Sequence, residues 1–137
     1  MSDVATGIYS VLSTDGTLTG LLGGTFVYEG KAPDSHSVNN PWLVYFEASE
    51  RPRWLFDSGR FEESVWHVKA IERNTTHVRV DAIRARVDEL LTDGALAVTG
   101  GTAVACWRES GSRYTEVTED RQYRHSGYDF RVRYSPT

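Results

Sequence analysis

The chain of 137 residues carries a net charge of −4 with 39% hydrophobic and 12% aromatic residues, the profile of one folded domain over residues 1–137 rather than of a disordered tail. Its acidic balance removes any general electrostatic drive toward nucleic acid or an anionic membrane, and no apolar run approaches the ~20 residues of a spanning helix. No basic-then-apolar leader opens the sequence and its one cysteine, Cys106, has no internal partner for a disulfide, so an intracellular origin is the expectation.

Ser2 or Asp3 is placed to cap a first helix whose Val4, Ile8, Val11 and Leu12 form a single stripe. Residues 14–24 read as a turn and a further helical turn, with Leu18, Leu21 and Leu22 inward and Gly23-Gly24 as the stop. A short strand follows at 25–29, then a polar loop at 30–40. In the strand at 41–48, Trp42, Val44 and Phe46 point one way and Leu43 and Tyr45 the other. Both faces are therefore apolar, which predicts a central strand covered on both sides.

Residues 51–60 read as a connecting arm that mixes Trp54, Leu55 and Phe56 with Arg51, Arg53 and Arg60. Two readings fit it: a loop folded back over a core edge, or an anchor for another protein chain, since Trp and Arg are enriched at interface hot spots. The strand at 61–72 places Trp66, Val68 and Ala70 on one face and Phe61, Val65 and Ile71 on the other. At about 3.3 Å per residue it extends close to 40 Å, against a radius of gyration of about 14 Å for a chain of this size. It is thus expected to project beyond the body as a hairpin with the preceding strand.

Asn74 or Thr75 is placed to cap a helix over 75–91, in which Val80, Ile83, Val87, Leu90 and Leu91 recur at the helical period and Gly94 supplies the stop. Its length is roughly 25 Å. Strands at 95–99 and 102–109 are predicted to join through a primed turn at Gly100-Gly101. The stretch 110–121 is polar and reads as mobile. In the final strand, 122–134, Tyr128, Phe130, Val132 and Tyr134 alternate with Asp129, Arg131 and Arg133, giving one buried and one charged face. The predicted class is α+β: two main helices on a mostly antiparallel sheet, in the order α-β-β-β-α-β-β-β, with a projecting β-hairpin.

No catalytic, cofactor-binding or metal-binding constellation emerges. Gly30-Lys31 lacks the first glycine and the Ser or Thr of a phosphate loop, and no G-x-S-x-G elbow occurs. His36, His67, His77 and His125 lack metal-site spacing. His77 and Asp81 share a helix face as a surface ion pair, while Glu62 and Glu63 point to opposite faces of a strand. Cys106 reads as a small core residue. Arg131 and Arg133 could meet phosphate, although cross-strand pairing with acids is their commoner use. Of 15 basic residues all but Lys31 and Lys69 are arginine, which fits many bidentate interface contacts and equally a GC-rich coding genome.

The joint order of several phrases resembles the phage tail-completion proteins, the tail terminators or head-to-tail joining proteins of long-tailed phages. These phrases are Leu21-Leu22-Gly23-Gly24, Tyr28-Glu29-Gly30-Lys31-Ala32-Pro33, Pro41-Trp42-Leu43-Val44-Tyr45, the strand through Trp66 with its helix, and the closing run from Tyr123 to Tyr134. Arg133 departs from the pattern, where an aromatic is common, as do the residues after Trp66. The resemblance implies a structural virion protein without enzyme activity or cofactor, located at the head-proximal end of the tail and assembled in the host cytoplasm. It implies a homo-oligomeric ring, usually a hexamer, that closes the tail tube and meets the head connector proteins, with DNA passing through without specific binding. The candidate interface is Arg51, Arg53, Trp54, Leu55, Phe56 and Arg60. The alternative is a small α+β module that binds a ligand or nucleic acid between helix and sheet.

Overall fold

The computed structural model describes residues 4–54, 60–92, 96 and 101–136, and at 50–54, 60–61, 101–104 and 136 the backbone alone. Three helices, α1 (Val4–Thr14), α2 (Gly16–Leu22) and α3 (Val78–Leu91), accompany five strands: β1 (Val27–Glu29), β2 (Trp42–Trp54), β3 (Arg60–Arg73), β4 (Gly101–Thr118) and β5 (Arg121–Pro136). The class is α+β, as predicted from the periodicities. The strands form one mixed sheet in the order β1-β2-β3-β5-β4, with β1 parallel to β2 and every other pair antiparallel.

The helices pack together on one face of this sheet. Val4, Ile8 and Leu12 of α1 are fully buried, as their stripe requires. Asp15 caps α2 by accepting the Leu18 N–H at 2.8 Å, and its two oxygens also take the Arg86 guanidinium of α3 at 2.9 and 2.7 Å. One carboxylate thus ends one helix and ties it to another. Gly23 closes α2 at φ 82°, a left-handed conformation that costs glycine little. Val80, Ile83, Val87 and Leu91 of α3 lie in one core with Leu43, Tyr45, Trp66, Val68, Phe130 and Val132 of the sheet. These side chains occupy the space between helix and sheet, where a bound ligand was the alternative expectation.

Several expectations are corrected. The predicted cap at Asn74 or Thr75 gives way to a helix that starts at Val78, with His77 in the cap position and no side-chain cap bond. Asn74 Oδ1 accepts the Thr75 N–H instead, at 2.7 Å. The polar stretch 110–121 is ordered strand through Thr118, followed by a tight turn in which Glu119 takes φ 52°. The ladder to β5 and ties from α3 hold it there: Arg113 to Asp81 at 3.1 Å and Arg108 to Asp88 at 3.0 Å. The described residues of the arm at 51–60 are strand, because Arg51–Trp54 continues β2 and pairs with β3 through Trp54↔Arg60. Among the described residues the order is therefore helix, helix, three strands, helix, two long strands.

The expectation of one projecting hairpin also changes. β5 follows β3 as far as Glu62↔Tyr134, and β4 follows β5 to Gly101↔Pro136. Length is thus shared by four strands, and the register does not single out the β2–β3 pair. The predicted turn at Gly100-Gly101 and the strand at 95–99 fall outside the described residues apart from Leu96, which is buried, and Gly101, which opens β4. So do Ser2, Asp3 and Gly94.

Candidate interaction surface

The second face of the sheet has no helix on it among the described residues. Alternation along the strands brings Val44, Phe46, His67, Lys69, Ile71, His125, Asp129, Arg131 and Arg133 to this side. No helix covers this side of β2 among the described residues, although its apolar pattern predicted a strand covered on both sides. The loop after β1 covers only one end of it: the His36 ring lies 4.8, 5.5 and 5.0 Å from the rings of Phe26, Tyr28 and Trp42. His36 Nε2 donates to the Asn40 carbonyl at 3.1 Å, so its Nδ1 accepts from the Tyr28 hydroxyl at 2.9 Å. Phe46, beyond the loop, is 38% exposed.

At the other end of this face charges replace rings. Glu63, 2% exposed, accepts from Arg131 at 2.6 Å and from Arg133 at 2.8 Å. Arg131 also binds Glu109, and the Arg133 guanidinium stands 5.4 Å from the Trp107 ring centroid. A carboxylate buried without a helix above it is stable only because two arginines neutralise and cover it. The expected cross-strand use of Arg131 and Arg133 is what the sheet shows. Glu62 lies on the opposite side from Glu63 by strand alternation, as predicted.

Sequence distance concealed one juxtaposition. Ser110, His67 and Asp129 meet on this face, with Ser110 Oγ donating to Asp129 Oδ2 at 2.9 Å and His67 Nδ1 on Asp129 Oδ1. A nucleophilic triad needs the histidine between the other two, so that it can take the serine proton. Here the aspartate is central and holds both neighbours. The arrangement is a cross-strand polar clasp. Among the described residues no group of three or more His, Cys, Asp and Glu side chains could hold a metal ion. Cys106 is buried in the core, as expected. His77 turns from Asp81 to the Tyr114 carbonyl at 3.2 Å, and Asp81 binds Arg113 and Ser126, which corrects the expected His77–Asp81 pair.

At the aromatic end lie two adjoining hollows of about 370 and 350 Å³. They share Trp42 and Ile71 as floor; Val44 and Phe46 line the first, Val38, Tyr123 and His125 the second. His125 is 5% exposed and stacks on Tyr114 at 4.4 Å and 10°. Its Nε2 lies 2.8 Å from Glu116 Oε1. A carboxylate only accepts, so Nε2 carries the hydrogen. Burial pushes the His125 pKa down, against the opposing pull of Glu116, which keeps the ring neutral near pH 7. Nδ1 is then a bare acceptor, buried with no hydrogen-bond partner among the described residues.

Of the six expected interface residues, Arg51, Arg53, Trp54 and Arg60 lie in the paired ends of β2 and β3. Leu55 and Phe56 fall outside the described residues. The hollow at the far end of β2 was not among the expected sites. Its signal in the sequence was the second apolar face of β2, read there as a covered face.

The fold has solved counterparts. The chain is similar to one from the virion of a native gene transfer agent particle, with 20% identity, a TM-score of 0.77 and coverage of 93% of this chain and 91% of that one. A second solved chain has a TM-score of 0.61 and 12% identity over 98% of this chain and 96% of that one. At these identities the likeness is one of fold. No curated protein sequence matches the chain. The tail completion protein gp17 family matches residues 6–135, nearly the whole length, and the chain accordingly belongs to that family of structural proteins of the phage tail.

Proposed function

We propose that this virion protein completes the tail as a hexameric ring at its head-proximal end, closing the tail tube and joining it to the head connector after assembly in the host cytoplasm. The observation that carries the reading is the sheet face left without helices among the described residues, where hollows, rings and an ion-pair ladder lie side by side. A closed ring of identical subunits needs two different, mutually complementary patches on each copy. The two ends of the long β2 differ in the required way. One end floors the hollows with Trp42; the other carries Arg51, Arg53 and Trp54.

Passage of DNA fits the same face. Arg131 and Arg133 are engaged by Glu63 and Glu109, and the chain is acidic overall. Binding to DNA gains from cation release when free cationic groups meet phosphates, so a lumen built from paired arginines lets the duplex slide. Light scattering after size exclusion, with negative-stain images of the protein alone and on tail tubes, tests the ring. A cyclic oligomer is expected; monomer under both conditions would overturn the reading.

A further inference from the structure

We infer that a separate hollow, where β3 ends beside the β4–β5 turn, is a binding site for a phosphate group, taken from the backbone of DNA or as the free ion. A single copy carries the whole site, so the inference stands apart from the ring.

The hollow encloses about 280 Å³ and is lined by Arg73, Asn74, Thr75, Asp120, Arg121 and Gln122. Arg124 adjoins it. Its guanidinium donates to the Asn74 carbonyl at 3.2 Å, to the Thr75 carbonyl and Gln122 Oε1 at 2.7 Å each, and to Thr115 Oγ1. All four acceptors are neutral. They fix the position of the Arg124 side chain and leave its charge uncompensated.

Elsewhere the chain treats arginine differently. Among the described side chains, Arg79, Arg86, Arg108, Arg113, Arg131 and Arg133 each bind a carboxylate, and Arg84 lies over the Tyr128 ring, 4.4 Å from its centroid. Arg73, Arg121 and Arg124 form no ion pair with any described residue, and all three gather at this hollow, where Asp120 is the one carboxylate of the lining. A guanidinium keeps its proton at any physiological pH, so titration does not relieve this crowding of like charge. An anion does.

Phosphate suits the arrangement better than a carboxylate. A carboxylate presents two coplanar oxygens, which one guanidinium fills, as Arg86 fills Asp15 in this chain. Phosphate oxygens diverge in tetrahedral directions, so cations arriving from the end of β3 and the start of β5 reach different oxygens. Thr75 and Gln122 add neutral donors to the same lining. The site is also remote from the paired arginines: Arg73 and Glu63 stand ten residues apart on β3, about 33 Å at ~3.3 Å per residue. Free cations, the groups that release counterions on meeting phosphate, are thus kept at the opposite end of the sheet from the Glu63 ladder.

The arginine Nε–Hε signals in NMR spectra of the wild-type chain, followed at low salt as inorganic phosphate is added, test the site. Arg73, Arg121 and Arg124 are expected to shift together. Arg73→Gln and Arg121→Gln, both at exposed positions, are each expected to weaken binding about tenfold, a change of ~1.4 kcal/mol, with circular dichroism melts as the check of fold. Arg108→Gln removes the same charge from the pair with Asp88 and is expected to change binding less than about twofold, since distant exposed charge is screened. Asp120→Asn removes the opposing carboxylate and is expected to tighten binding. A DNA duplex of random sequence then identifies the source: shifts of the same three arginines that fade as salt rises assign the DNA backbone, and a response to phosphate alone assigns the free ion. No shift of the three arginines with either probe overturns the inference, as does equal weakening by Arg108→Gln and Arg121→Gln. Shifts produced by a polyglutamate peptide and not by phosphate overturn it in favour of a carboxylate partner. The ring reading survives each of these failures, because none of the measurements depends on oligomeric state.

Discussion

The two faces of the sheet solve the same burial problem with different chemistry. Under the helices, Trp66, Phe130, Leu43 and Val132 are all but inaccessible and meet Ile83, Val87 and Leu91, and the buried Ser64, Glu72 and Ser126 each hold a polar partner. On the uncovered face, burial is achieved by arginine stems and stacked rings over single groups such as Glu63 and His125. Val44 and Ile71 are buried on that side, yet they lie outside the main core cluster. One face holds the monomer together. The other is organised without being sealed, which is what a surface used in assembly requires.

The sharpest way to break this comparison is to cut into each face in turn. Phe130→Ala, on the helix side, is expected to cost about 3–5 kcal/mol in chemical denaturation, because a fully buried ring leaves a cavity. Its loss should be nearly independent of salt. Glu63→Gln, on the uncovered side, is expected to cost about 2 kcal/mol. That is less than for a sealed pair, since Arg131 and Arg133 keep side-chain exposures of 21% and 35%. The loss should shrink as ionic strength rises, because exposed charge is screened. Equal salt responses for the two variants would erase the distinction.

Asp15→Ala probes the polar tie beneath the helices. Loss of the α2 cap is expected to lower stability by about 1 kcal/mol in thermal melts, with Arg86 deprived of its bidentate partner. The hydrogen bond from Arg86 holds the Asp15 pKa below its ordinary value. Its contribution is therefore complete above about pH 4 and is lost as pH falls through the lowered folded-state pKa. Burial works to raise the Asp81 pKa and is outweighed by Arg113 and Ser126, so that group acts in the same direction.

The smallest expected effect sits on the uncovered face and falls in a different pH window. The folded-state pKa of His125 is depressed by burial from its ordinary 6.5. Below that value the unfolded chain takes up a proton before the folded one does, so stability declines from about pH 6.5 down to the folded pKa. His125→Gln is expected to flatten this decline in denaturation curves taken between pH 7.5 and pH 5, the range being roughly that of histidine titration. A decline that survives the substitution would assign the window to another group.

Periodicity exposed the helical stripe of Val80, Ile83, Val87 and Leu91 and the two-faced strand ending at Tyr134, because each is written in residues two, three or four apart and needs only its own element to be read. Half of the hollow over Trp42 and Ile71 was legible in the same way, as the second apolar face of β2. The rest was not. The stretch 110–118 looks like loop because its side chains are polar, and it becomes strand through partners 9 to 32 residues away in Arg124, Ser126 and Asp81. Its turn at Glu119-Asp120 has no glycine to announce it, whereas Gly100-Gly101 carries the local signal for one.

The sequence by itself determined the class, the core stripes and the absence of a familiar catalytic motif, since these depend on residue type and short spacing, while the family came from a resemblance spread over nearly the whole chain. Only the tertiary structure decided that β5 lies between β3 and β4, that the helices share one face, and that Trp42, Ile71 and His125 floor a hollow on the other. Those outcomes depend on which strands pair across long sequence separations. Chain packing selects that pairing, and local periodicity cannot encode it.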